Sequence, residues 1–136
     1  HAGRILTCND ADGKFTLPAI TSGSSSAVAG ASDYNVLSNL GCTYTFWVQT
    51  LATDMDIKTD GTDRFYGAVF IGIDSEATGE TFAANASSND VMTMNGTTTG
   101  GIVGSFVQFT AIASAAYYVT GSLIGSGTIA TPFADS

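Results

Sequence analysis

Apolar side chains recur at every second position in this chain, in short runs separated by Gly, Asn, Asp and Ser, and that period commits it to β-structure. A strand sends successive side chains to opposite faces, whereas an amphipathic helix repeats its apolar residues three or four apart. No segment supplies three helical turns with caps. Residues 4–8 open the series, and Asn9-Asp10-Ala11-Asp12-Gly13 reads as a turn. Residues 14–17 alternate until Pro18, which cannot donate to a ladder. Residues 43–50 alternate well, with Tyr44, Phe46 and Val48 on one face and Thr45, Trp47 and Gln49 on the other. A short strand over 55–59 ends at the turn Asp60-Gly61-Thr62-Asp63. The strongest strand, 65–73, is apolar on both faces, which places it inside a sheet or against a partner.

The remaining punctuation completes the pattern. Residues 75–90 are polar, with Thr81-Phe82-Ala83 as an edge strand. Residues 91–94 lead into Asn95-Gly96, a hairpin signal because both positions tolerate positive φ, and 97–101 form a flexible Thr/Gly run. Residues 105–113 and 116–121 make a final hairpin around Ser114-Ala115. Residues 21–32 read as a polar loop or arm, and 33–40 as holding a helical turn near Val36-Leu37. The expectation is an all-β single domain over 1–136: a β-sandwich or jelly-roll-like fold, or a small β-barrel. Residues 1–12 form an N-terminal arm or first strand, and 125–136 an extended C-terminal tail anchored by Phe133.

Charge is scarce. Charged residues make up 12% of the 136-residue chain, against roughly 25% in an average soluble domain. Thr, Ser, Gly, Asn and Ala replace them, which points to a surface covered by neighbours, although secreted β proteins share that composition. The net charge of −8, with basic residues only at Arg4, Lys14, Lys58 and Arg64, argues against nucleic acid and anionic membranes as partners. No apolar run approaches the roughly 20 residues that span a bilayer, and the start carries no signal-peptide pattern. Cys8 and Cys42 are too few for a disulfide framework and read first as buried thiols, with a single bridge as the alternative.

A search for catalytic chemistry finds little. His1 is the only histidine, so a copper brace lacks its second imidazole, and a catalytic triad would need its base at the first residue. Zinc fails on ligand count. Asn9, Asp10, Asp12 and Gly13 resemble part of a calcium loop, and Asp54, Asp56, Asp60 and Asp63 form a second acidic group. Neither matches the full loop spacing, and Asp-Gly pairs make turns without a metal. Glu76 and Glu80, the only glutamates, fall in a surface loop, where solvation is the expected role. No catalytic residue, metal ligand or cofactor site is therefore expected. Trp47 offers a stacking platform for carbohydrate, but its alternation sets it opposite Tyr44 and Phe46, which favours a core or interface role. Asn85-Ala86-Ser87 and Asn95-Gly96-Thr97 match the glycosylation acceptor pattern.

The order of segments carries a further signal. Asp12-Gly13-Lys14-Phe15-Thr16-Leu17-Pro18 is followed by Gly41-Cys42-Thr43-Tyr44-Thr45-Phe46-Trp47-Val48, then Asp56-Ile57-Lys58-Thr59-Asp60-Gly61-Thr62-Asp63. Met94-Asn95-Gly96-Thr97-Thr98-Thr99-Gly100-Gly101 comes next, then Tyr118-Val119-Thr120-Gly121, Gly127-Thr128 and Thr131-Pro132-Phe133. This order resembles head decoration (cement) proteins of tailed bacteriophages, with similar segments in tail-fibre modules. The resemblance implies a non-catalytic virion protein on the outer surface of the capsid, bound to the major capsid protein as homotrimers. A start at His1 would fit cleavage of a precursor. The residues expected at interfaces are His1, Arg4, Leu6, Trp47, Phe70 and Phe133, with 1–7 the first choice for a capsid-contacting arm and the C-terminal tail the second. Two alternatives stand beside it: a receptor- or carbohydrate-binding module of a tail fibre or spike, and a subunit of an extracellular filament.

Overall fold

A computed structural model describes residues 1–21 and 38–136. Ten strands follow in chain order: β1 (Ile5–Cys8), β2 (Lys14–Thr16), β3 (Thr43–Val48), β4 (Met55–Lys58), β5 (Arg64–Ile73), β6 (Gly79–Ala83), β7 (Val91–Met94), β8 (Phe106–Ala113), β9 (Ala116–Gly125) and β10 (Phe133–Ala134). They build a six-stranded sheet in the order β1-β3-β8-β9-β5-β6 and a four-stranded sheet in the order β10-β7-β4-β2. The two sheets share one core as a β-sandwich, and neither closes on itself, so the barrel alternative does not hold. The helical turn expected near Val36-Leu37 and most of the expected arm at 21–32 lie outside the described residues.

Both sheets are mixed, because the chain steps repeatedly from one to the other. β1 and β3 pair in parallel, and β2, which lies between them in sequence, belongs to the opposite sheet. β2 and β4 pair in parallel across β3 in the same way. Parallel neighbours require a crossover connection, commonly a helix; here a strand of the facing layer serves. β5 and β9 form a third parallel pair, ten residues long. Only β5–β6 and β8–β9 pair as consecutive hairpins among the described strands.

The alternation read from the sequence fixes which side chains enter the core. Tyr44, Phe46 and Val48 of β3 are buried, as are Phe65, Val69 and Ile71 of β5 and Val107, Phe109 and Ala111 of β8. The smaller sheet contributes Met55, Ile57, Met92 and Met94, all without exposure. Phe65 and Phe109 sit with ring centroids 5.0 Å apart, and Phe46 meets Phe109 edge-on at 6.0 Å, within the range where aromatic pairs attract beyond their buried area. The Tyr117 hydroxyl, buried beneath them, donates to the Pro18 carbonyl at 2.6 Å, so the one polar atom of that ring is paired. β5 lies inside its sheet, as its apolar faces require, but only one face is covered.

Two expectations need correction. Asn95-Gly96 does not join a hairpin, since β7 pairs with β4 and β10 and with neither strand that follows directly. It instead nucleates a closed loop. Asn95 Oδ1 accepts from the Thr97 and Thr99 amides at 2.9 and 3.1 Å, and the Gly96 amide donates to the Gly100 carbonyl at 2.7 Å. The run 97–101, expected to be flexible, is thereby tied down, and Ser126 and Ala130 donate to Thr97 and Thr98 from outside it. The C-terminal stretch, expected as an extended tail anchored by Phe133, ends in a short strand. Phe133 is only 7% exposed and packs on Phe65, while β10 pairs with β7. Phe133 is thus the anchor the sequence suggested, and its burial removes it from the residues available to a partner.

Candidate interaction surfaces

The remaining interface candidates fall on two surfaces. The first is the edge formed by β1. Among the described residues, this strand has β3 on one side and no strand on the other, leaving an open row of backbone donors and acceptors. Ile5 stands on it at 68% exposure, and Arg4 is exposed at its start. Arg4 has no ion pair among the described residues, unlike Lys14, which is held by Asp54 and Asp56 at 2.8 and 2.9 Å. Inside this edge, between β1 of the large sheet and β2 of the small one, lies a cleft of about 270 Å³. His1, Leu6, Lys14, Phe15, Tyr44 and Phe46 are among the residues that line it. His1, Arg4 and Leu6 therefore converge on one side of the molecule.

The second surface is the outer face of the six-stranded sheet, where strand register sorts the side chains into rows. One row reads Thr7, Trp47, Phe106, Ser122, Phe70 and Thr81 across all six strands. The next reads Ile5, Thr45, Gln108, Thr120, Ala68 and Ala83. A third places Thr43, Thr110, Tyr118 and Tyr66 side by side. None of these residues is charged. Trp47, Phe106, Phe70, Tyr66 and Tyr118 are each between 38 and 45% exposed. Trp47 and Phe70 thus share a row, three strand spacings or about 14 Å apart.

Sequence reasoning set Tyr66 on the same strand face as Phe70 but missed Phe106 and Tyr118 as their neighbours. Their outward direction follows from alternation, but their neighbourhood depends on β3 pairing with β8 and β9 with β5, long-range pairings that no local pattern encodes. The objection that Trp47 stands apart from other aromatics held only within its own strand; Phe106 is its direct cross-strand neighbour.

Several acidic residues have structural partners. Asp60 Oδ1 accepts from the Thr62 amide at 2.9 Å and from the Thr62 hydroxyl at 2.7 Å, capping its own turn, and these bonds hold its carboxyl below the usual range. Asp56 is lowered as well: burial opposes this, but bonds from Thr93 and Lys14 outweigh it. Asp63 accepts from the Ile20 amide at 2.8 Å, yet burial dominates and raises its carboxyl. Asp90, 2% exposed, takes the Arg64 guanidinium at 3.0 Å and both the amide and the hydroxyl of Ser136 at 2.9 Å. The two thiols are unbridged, and burial pushes that of Cys8 up to about 11. Among the described residues, no group of three or more His, Cys, Asp or Glu side chains is placed to hold a metal ion. Of the two acceptor sequons, Asn85 is exposed, whereas Asn95 spends both side-chain atoms on its loop. Comparison with protein-family models, with curated proteins and with solved structures finds no match to this chain.

Proposed function

We propose that this chain is a non-catalytic structural protein of a virion, a head decoration protein that binds the outside of a phage capsid and ties neighbouring capsomers together. The observation that carries the reading is the β1 edge, unpaired among the described residues, with an apolar cleft beside it. Natural sheet edges are usually blunted by charge, proline or bulges. β6, the opposite edge of the same sheet, carries Glu80, and β10 is two residues long. β1 has neither device and presents Ile5 instead. Such an edge accepts an extended segment by strand addition, with main-chain bonds giving affinity and the cleft reading one side chain. The major capsid protein is the partner this reading assigns. The segment order, the scarcity of charge and the acidic balance, unsuited to packaged DNA, support the same assignment.

The test is to mix the purified chain with expanded phage heads that lack it and to measure what pellets with them. Wild-type chain is expected to saturate the heads at a fixed ratio to the capsid protein. Ile5→Asp, which sets a charge on an exposed edge position without touching the core, is expected to bind at least about tenfold more weakly. Failure of the wild-type chain to pellet above a protein-free control would overturn the proposal.

A further inference from the structure

Beyond the β1 edge, the outer face of the six-stranded sheet is lined by aromatic rings and neutral polar side chains. Its exposed rings form two rows, Trp47, Phe106 and Phe70 in one and Tyr118 and Tyr66 in the other. Four residues of β9 separate the rows, about 13 Å along the strand. The floor between them is Thr45, Gln108, Thr120 and Ala68. Gln108 Nε2 donates to Thr45 Oγ1 at 3.1 Å, fixing the amide and turning its oxygen free. Among the described residues, the hydroxyls of Thr120, Ser122, Tyr66 and Tyr118 make no bond within the chain.

The rings are also held against the sheet. Phe70 lies over Gly72 and Gly79, where a Cβ on Gly79 would collide with it, and Tyr118 leans over Gly67. Phe70 and Tyr118 are thereby packed against the sheet rather than standing free of it. The arrangement combines apolar ring faces, unpaired hydroxyl and amide groups, and an absence of charge in a chain of net charge −8.

We infer that this trough binds a neutral glycan. A pyranose offers a C–H face that stacks on an aromatic ring and, around its rim, hydroxyls that both donate and accept. It satisfies each part of the trough at once. A second protein surface packed here would have to bury Thr120, Gln108 and Ser122 and match each of them, and any mismatch leaves an unpaired polar group at a cost. An anionic or cationic ligand finds no counter-charge in the three rows. The inference does not rest on capsid binding, although the two surfaces meet at β1, where Ile5 ends the middle row.

Trp47 is the only tryptophan of the chain and stands in the trough, so its fluorescence reports occupancy directly. The experiment titrates the intact chain with cellohexaose, maltohexaose, laminarihexaose and chitohexaose in turn. The expected result is a saturable blue shift with at least one of them. Phe106→Ala and Tyr118→Ala should each weaken that binding by about tenfold. Thr120→Arg, a bulky charge on an exposed floor position, should abolish it, with thermal unfolding of each variant checked against wild type. Three results would overturn the inference: no emission change with any of the four sugars, binding that survives all three substitutions, or a blue shift that follows protein concentration without sugar. The last would show that a second copy covers the face.

Discussion

At the residue scale, a few positions carry constraints that packing cannot relax. Gly96 has a φ of +75°, and a Cβ there would run into the Ala52 carbonyl. Gly96→Ala therefore combines backbone strain with a clash and is expected to cost about 2 kcal/mol or more, read as a lower urea midpoint at unchanged m-value. Asp63 carries a different signature. Burial raises its carboxyl above the unfolded value, so the folded state favours the protonated form. Its contribution is fully present below the unfolded pKa and is lost as pH rises through the folded one. Asp63→Asn keeps an oxygen for the Ile20 amide and removes the titration. The variant should therefore gain on wild type as pH rises from about 3 to about 7, where an ordinary Asp ionises. A difference independent of pH in paired urea titrations would contradict this.

Among the elements, β5 shows what alternation conveys and what it omits. Its buried set, Phe65, Val69 and Ile71, was legible from period two alone. A strand apolar on both faces predicts that Phe70→Asp disrupts folding or trimerisation, because it puts a charge on a doubly apolar strand. The structure removes that reason for a folding defect: Phe70 points outward, and its ring covers two glycines rather than filling a core. Ile71→Asp should abolish cooperative unfolding, because it buries a charge with no partner. Phe70→Asp should fold and lose only about 1 kcal/mol through fraying of β6. Circular dichroism of the pair separates the two positions. Strand existence was read well because each strand advertises itself locally. Strand partners were not, because a chain that alternates between sheets makes parallel pairs across an intervening strand. For the same reason the β1 edge and its cleft were only half legible. Residues 1–7 stood out as an arm, but the meeting of Leu6 with Phe15 and Phe46 depends on the packing of β1 and β2 across the sandwich edge.

For the whole molecule, the two surfaces suit a component with two tasks. In the proposed reading, one side offers an edge for strand addition to a capsid, and a broad outer face is left open to solvent among the described residues. Many modest contacts of this kind sum to a stable assembly only when copies act together. The claim that this chain works as one of several copies is tested most directly by its mass in solution, measured by light scattering over a range of concentrations. With the homotrimer that the family resemblance implies, the proposed reading predicts a stable trimer, at about three times the 13.9 kDa of the chain. A monomer at every concentration would contradict it.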